Sequence, residues 1–404
     1  MTMSRVLDPQ PVPVVETATR SRVAPVDAAA TSGIGQPLAP IFTAMAVMVL
    51  TIIALTFART ADMVAALWGA GGLAGAVWLR TSRGPLYDAC FGGLLACGLA
   101  AGNLLAGNST KTTLMFTVAN MMDIYCAVLM ARRFAPTLNL ASVEGASRFL
   151  VSAAVLAPLP AAALVGGMLW WINGADFLET AQTWWFGHAL SIAVVGSFGL
   201  ALTKREVLRL RSPARATEAV VLLGLLTVVN MLIFGMQSLP ISFVTLPLLL
   251  LIAVRLRLLG VTAALLIISV LAIGGSMLGH GPYVSAFNGA DRAMMAQLLV
   301  LFGYLPILLV AALLEERDRL SDRAKAGQVR AERASEAKSR LLANVAHEIK
   351  SPVGGIIGIG ELWRAGQLGP VTPTQGEMAE MLVKTARQVE ALSHDLLDVA
   401  PAES

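Results

Sequence analysis

The stretch NVAHEIKSP, residues 344–352, combines the side chains of this chain that are best suited to chemistry. His347 is one of only four histidines. Glu348 follows it directly, and Ser351 lies four positions after His347. The neutral form of an imidazole is a nucleophile, and residues four apart on a helix share a face. His347 is therefore a candidate reactive group, provided that the surrounding chain exposes it.

The apolar residues around His347 predict a helix that exposes this side chain. They form one stripe, in steps of three and four, at Leu342, Val345, Ile349, Val353 and Ile356. His347 is two positions from both Val345 and Ile349, about 200° around the helix axis, which puts it on the solvent face. Packing in a core therefore does not explain it. Pro352 lacks a backbone donor and is expected to kink the helix just beyond the site.

A second helix is expected to pair with the first. The Gly and Pro residues of AGQLGPVTPTQG, residues 365–376, indicate a turn. A second stripe follows at Met378, Leu382, Thr385, Val389, Leu392, Leu396 and Val399. The two helices predict a hairpin over 341–404, and two hairpins would make a homodimeric four-helix bundle. The highly charged stretch 315–340 is expected to be a helical linker, either a signalling connector with a thin dimer seam or a solvated helix.

The composition of the remaining chain is that of a membrane protein. Hydrophobic residues make up 56% of the 404 positions, charged residues 14%, and the mean hydropathy is +0.70. Cys90, Cys97 and Cys126 lie in apolar runs without metal-ligand spacing, so we expect no metal site. Residues 1–37 are expected to be a disordered cytoplasmic tail. The net charge of +4 is small, and we expect no nucleic-acid partner.

The fold class expected from these patterns is all-α, with a polytopic membrane helix bundle over 38–314 and a cytoplasmic hairpin behind it. About ten stretches are long and apolar enough to span a bilayer, near 38–58, 61–79, 87–107, 113–131, 149–172, 181–202, 217–236, 239–254, 259–279 and 293–314. Most Lys and Arg residues of the connections follow the even-numbered spans, whereas the odd-numbered ones are followed only by Arg59, Lys111 and Arg292. This asymmetry predicts that both termini lie in the cytoplasm.

Two polar residues at membrane depth are candidates for intramembrane sensing. Asp123 lies in the middle of the fourth span, and Asn120 lies one turn before it. An ionisable group at this depth is costly, so it indicates either ligand or proton sensing or a hydrogen bond that holds helices together. For His188, Asn103 and Asn230 the structural interpretation is favoured. Trp170, Trp171, Trp184 and Trp185 flank one outward connection, which is typical of the membrane interface.

NVAHEIKSP resembles the phosphoacceptor box of the histidine-kinase dimerisation domain. VGGIIGIGELW and ALSHDLLDVA resemble the rest of the same domain. Departures from the family pattern are Ala346, Lys350 and Val353, and His394 stands where asparagine is common. The resemblance implies that His347 accepts phosphate, that Glu348 orients or deprotonates the ring, and that Ser351 places a hydrolytic water. It also implies a homodimer and a response-regulator receiver domain as partners.

The membrane half is similar to the membrane-associated sensor domains of bacterial signalling proteins, through ALWGAGGLAGAVWL, VANMMDIYCAVLMARR, WWFGHALSIAVV and LPILLVAALLEER. Together the two resemblances imply a phosphorelay sensor kinase. The family's ATP-binding segments are absent from these 404 residues, so ATP and Mg²⁺ are expected to act through a domain in trans or in a longer chain. The chain is not expected to autophosphorylate alone. A non-catalytic membrane scaffold or decoy is the alternative, and a transporter would leave the His347 motif unexplained.

Overall fold

The computed structural model describes residues 38–57, 68–82, 84–209, 211–235, 241–284, 287 and 289–398. The expected tail, residues 1–37, lies outside these ranges. The chain divides into two compact units, Met1–Arg317 and Asp318–Ser404. In the described ranges the regular structure is entirely helical, as the composition predicted.

Most helices of the first unit are long and apolar, and irregular helical turns adjoin several of them. They are α1 (Ala39–Phe57), α2 (Ala70–Thr81), α3 (Pro85–Leu105), α4 (Thr110–Phe134), α5 (Val143–Phe149), α6 (Leu159–Asn173), α7 (Phe177–Leu190), α8 (Ser197–Ala201), α9 (Lys204–Arg209), α10 (Pro213–Gly235), α11 (Thr245–Met277), α12 (Gly289–Leu298) and the start of α13 (Pro306–Arg364). A 3₁₀ turn, Ser242–Val244, precedes α11, and π-helical segments at Leu150–Leu156, Ser191–Gly196 and Leu299–Tyr304 follow α5, α7 and α12.

Eight helical runs in the described ranges are long and apolar enough to cross a membrane. Two differences separate this number from the ten stretches in the sequence. The described part of the second stretch is the 12-residue helix α2, which is too short to be one of the eight. The described parts of the eighth and ninth stretches form one helical run, Ser242–Met277, and the backbone of α11 leaves the helical region at Arg257 (φ 59°, ψ −150°). The expected connection between them is therefore a sharp break inside one helix.

Close helix packing in the first unit depends on glycine. α2 packs against the π-helical segment Ser191–Gly196, and the Gly72 N–H donates a 2.9 Å hydrogen bond to Ser191 Oγ. A Cβ atom at Gly72 would lie 2.1 Å from the Ser191 carbonyl oxygen, whereas one at Gly75 would meet nothing within 4 Å. Only glycine therefore allows α2 to approach the second half of the α7 run this closely.

The second unit is a helical hairpin. The rest of α13 forms its first arm, and α14 (Pro373–Asp398) forms the second. The helix of the first arm continues through Pro352 and ends at Arg364. Gly366 (φ 72°) and Gly369 (φ 123°) adopt left-handed backbone conformations in the turn, which glycine tolerates without strain. The side chains of Thr372 and Gln375 then accept hydrogen bonds from the backbone at the start of α14.

Candidate functional site

The reactive triplet of the sequence lies on the exposed side of the hairpin. His347, Glu348 and Ser351 are all exposed on the first arm, whereas their neighbour Ala346 is buried (2% exposed). This contrast follows from the helical period, because a residue next to the buried stripe turns about 100° away from it. The imidazole is thus presented to solvent on a helix that the second arm supports from behind.

Small residues form the contact between the two arms. The buried positions are Ala346, Val353 and Gly360 on the first arm and Ala379, Val383, Ala386 and Ser393 on the second. Ser393 Oγ donates a 3.2 Å hydrogen bond to the carbonyl oxygen of Ala346, directly behind His347. Arg387 of the second arm pairs with Glu361 of the first. These contacts fix the register of the two arms and hold the backbone at the candidate site.

The larger apolar residues of the predicted stripes remain uncovered within one chain. Val345 is 41% exposed, Leu382 45% and Leu392 63%. An open apolar groove of about 590 Å³ runs along the hairpin, and its lining includes Val353, Ile356, Trp363, Met378, Met381, Leu382, Thr385 and Val389. A continuous apolar surface of this kind marks an interaction site. Much of the predicted stripes is therefore left uncovered within one chain, while the buried contact of the second arm uses the neighbouring positions Ala379, Val383, Ala386 and Ser393.

Pro352 changes the backbone next to the candidate site. It lies within the helix of the first arm and has no N–H group, so the carbonyl of Glu348 cannot receive its usual intrahelical hydrogen bond. The helix persists because it is held against α14 on both sides of this position, through Ala346 and Gly360. The missing donor thus lies beside the exposed histidine, and the kink expected at Pro352 stays a prediction.

Asp123, the candidate from the membrane half, is paired with His188. Asp123 Oδ2 and His188 Nδ1 form a short hydrogen bond between α4 and α7, and both residues are buried (0% and 3% exposed). The second oxygen, Oδ1, has no hydrogen-bond partner among the described residues. The sequence identified both residues but assigned His188 to helix packing, because their contact joins positions 65 apart in the chain.

Two tryptophans complete the surroundings of His188. Its ring stacks on Trp184 at a centroid distance of 4.2 Å and on Trp68 at 5.5 Å. Trp184 also stacks on Phe116 of α4 at 5.9 Å. Trp184 is 3% exposed, so its ring packs inside the helix bundle and does not face its outer surface. Its neighbour Trp185 instead donates its indole N–H to the Val155 carbonyl at 2.8 Å.

The asparagines at membrane depth divide into two roles. Asn120 donates to the Phe116 carbonyl of its own helix at 2.7 Å, and its Oδ1 lacks a partner among the described residues. Asn230 accepts a 3.1 Å hydrogen bond from Thr245 and so joins α10 to α11. Asn103 accepts one from Asn108 at 2.7 Å, at the end of α3. Asn120 is thus the asparagine nearest to Asp123, one turn away on the same buried face.

The described residues hold no cluster of three or more His, Cys, Asp or Glu side chains that could ligate a metal ion. Cys90 and Cys97 are exposed, Cys126 is partly buried, and all three are free thiols. ATP and Mg²⁺ were expected only through another domain. The glycines between residues 354 and 360 lie in the continuous helix α13.

Comparison with known proteins assigns both units. Residues 37–318 match the MASE1 family, and residues 337–404 match the His Kinase A (phospho-acceptor) domain. No solved structure matches the chain.

Similar curated proteins are histidine kinases. The histidine protein kinase DivJ of Caulobacter vibrioides is 30% identical over 88 residues, 22% of this chain and 14% of that protein. The signal transduction histidine-protein kinase BarA of Escherichia coli K12 is 35% identical over 75 residues, 19% of this chain and 8% of that protein. The cell-division control histidine kinase PdhS of Brucella ovis is 36% identical over 75 residues, 18% of this chain and 7% of that protein. The matched segment thus covers a seventh or less of the length of these relatives.

The MASE1 match includes every described helix of the first unit, and the second match includes the hairpin with His347. Because the first match covers well over half of the 404 residues, the chain belongs to the MASE1 family of integral-membrane sensor domains, and it carries a histidine-kinase phosphoacceptor domain behind this sensor.

Proposed function

We propose that this chain is the sensor of a two-component phosphorelay, and that His347 accepts phosphate and passes it to an aspartate of a response-regulator receiver domain. The observation that carries the proposal is the exposed imidazole of His347 on a hairpin that matches the phosphoacceptor domain. The neutral imidazole can attack the γ-phosphate of ATP, forming an N–P bond as the bond from phosphorus to the ADP oxygen breaks. ATP and Mg²⁺ would be held by an ATP-binding domain in trans or in a longer chain.

Glu348 and Ser351 have separate roles in this proposal. Glu348 is adjacent to His347 and exposed, so its carboxylate can orient the ring or remove its proton as the N–P bond forms. Ser351 lies one turn further along the same helix and is also exposed. Its hydroxyl can hold a water molecule for hydrolysis of the phosphorylated receiver, which docks on this surface after transfer.

The open apolar groove supports a homodimer as the working form. Two hairpins that bury their grooves against each other would form a four-helix bundle, and this arrangement would leave His347 exposed on the outside. We further propose that both termini lie on the cytoplasmic side of a bacterial inner membrane. The Lys and Arg distribution supports this orientation, because cationic connections are retained in the cytoplasm.

The test is phosphorylation in trans. The full chain in detergent is incubated with labelled ATP and the purified ATP-binding domain of a related histidine kinase. We expect an acid-labile label on the wild-type chain and none on His347→Gln. His394→Gln is the matched control, because His394 is an exposed histidine on the other arm of the same hairpin, and it should be labelled like the wild type.

Two outcomes would contradict the proposal. Label that persists in His347→Gln would place the phosphate on another residue. Absence of label in the wild type, with a positive control of the ATP-binding domain on its own hairpin, would favour the non-catalytic scaffold or decoy that dimerises with intact kinases. Transport of a solute without labelling would favour a transporter.

A further inference from the structure

We propose that Asp123 and His188 form a proton-binding site inside the membrane domain, and that the proton is a ligand to which this sensor responds. The site is independent of the phosphoacceptor function. It comprises the hydrogen-bonded pair, the two tryptophans that stack on His188, and the unpartnered oxygen of Asp123.

The chemistry of the pair selects a proton over a metal ion. A metal site needs three or more ligands in most proteins, and no such cluster exists among the described residues. Asp123 and His188 share one proton in their neutral form, whichever atom carries it. Gain or loss of a proton therefore changes the charge of a fully buried site by one, and titration belongs to the pair as a unit.

The surroundings of the pair offer contacts to its proton-loaded form. In the proton-loaded form an imidazolium at His188 lies beside the Asp123 carboxylate, and the pair is neutral overall. The aromatic faces of Trp184 and Trp68 lie 4.2 Å and 5.5 Å from the imidazole centroid, within the range of cation–π attraction. Loss of the shared proton would instead leave a carboxylate whose Oδ1 has no donor among the described residues.

Few other ionisable groups lie near Asp123 and His188. Cys126 lies one turn further along α4 and interacts electrostatically with Asp123. The remaining titratable groups on elements packed against α4 and α7 lie near helix ends or are exposed, and they are Arg80, Tyr87, Asp88, Cys90, Cys97, Lys111, Tyr125, Arg132, Arg133, Glu144, Arg148, Glu179, Asp291 and Arg292. Loss of the shared proton would therefore leave a negative charge that no neighbouring cationic group within the core offsets.

A row of buried polar side chains extends from the N-terminal ends of α4 and α7 toward Asp123 and His188. Its members Thr113, Thr117, Asn120 and Thr180 are each 9% exposed or less, and each has an oxygen without a hydrogen-bond partner among the described residues. In the proposed orientation both helix ends face the outside of the cell. Protons from that side could move along these oxygens, with water molecules between them.

The charge of the pair can change how the helices pack. Asp123 joins α4 to α7 through His188, and the π-helical segment Ser191–Gly196 begins three residues after His188. Helix α2 packs against this segment, and the Gly72 N–H donates a hydrogen bond to Ser191 Oγ. Because π-helical turns occur often at functional sites, a charge change at His188 would be transmitted to the contact between α7 and α2.

Selective ¹⁵N labelling of histidine tests the proposal in the full chain. The chain has four histidines, and His280, His347 and His394 are exposed, so they provide internal references in liposomes. As the pH falls from about 8 to about 5, the interval in which histidine changes charge, we expect the His188 ring to pass from the neutral to the doubly protonated form. The His188→Gln variant identifies its signal, and His280→Gln should leave that signal unchanged.

Asp123→Asn provides the second measurement. The substitution keeps the size of the side chain and a hydrogen bond to His188, but it removes the carboxylate that stabilises the imidazolium. We expect His188 to stay neutral over the same pH interval in a variant that retains its thermal stability. Asp123→Glu should restore the protonation. The proposal is overturned if the charge state of wild-type His188 is the same at both pH values, or if Asp123→Asn titrates like the wild type.

Discussion

Leu382→Asp should weaken the proposed hairpin dimer. Leu382 lines the apolar groove and is 45% exposed in one chain, so about half of its side chain is available for burial by a partner. Full burial of a leucine contributes roughly 1.5–3 kcal/mol, which gives about 1 kcal/mol for the exposed half. A symmetric dimer loses this contribution twice, about 2 kcal/mol, so its dissociation constant should rise at least about thirtyfold.

The aspartate adds a further cost in the same direction. A carboxylate in the centre of an apolar interface would be desolvated without a partner, and an unpaired buried charge is more costly than a lost methyl contact. The estimate of about thirtyfold is therefore a lower bound. Helix α14 itself should persist, because Leu382 is exposed in the single chain. Its replacement leaves the contact of small residues between the two arms of the hairpin intact.

The assay is sedimentation equilibrium of the second unit, residues 318–404, with circular dichroism to monitor helix content. Ala391→Asp is the matched control: Ala391 is exposed on the same helix and lies away from the groove lining. It introduces the same charge and should leave the dissociation constant within about threefold of the wild type, because surface substitutions change free energies by about 0.5 kcal/mol. A wild-type unit that is monomeric at all concentrations, or an Ala391→Asp variant weakened as much as Leu382→Asp, would refute the reasoning.

Two further comparisons separate roles at other positions. Glu348→Ala should slow phosphorylation of His347 in trans by about 10²–10⁴-fold, the usual contribution of a positioned acid or base. Ser351→Ala should leave the labelling of His347 intact and slow dephosphorylation of the receiver. Equal effects of the two variants on labelling would contradict this division of roles. Gly72→Ala should destabilise the membrane domain by about 1–3 kcal/mol through overpacking, because the added Cβ would lie 2.1 Å from the Ser191 carbonyl oxygen. Gly75→Ala, where the added Cβ meets nothing within 4 Å, should leave the melting temperature equal or higher, and a similar loss in both variants would argue against a specific contact at Gly72.

The local features of the chain could be predicted because they depend on neighbours in the sequence. Stripes at steps of three and four fixed the hairpin helices and put His347 on the solvent face, since helical period alone decides which side a residue takes. The apolar runs likewise indicated an all-helical membrane domain, and the MASE1 and phosphoacceptor matches confirm the two kinds of domain that the motifs resembled.

Features that depend on contacts between distant segments required the tertiary structure. Asp123 and His188 each stood out as polar residues in apolar runs, but nothing in the spacing of 65 residues indicates that they form a pair. Trp184 has the position of an interface residue in the sequence and is buried between His188 and Phe116, because it lies on the face of α7 that meets α4. Packing between helices, which sequence periodicity does not specify, decided both.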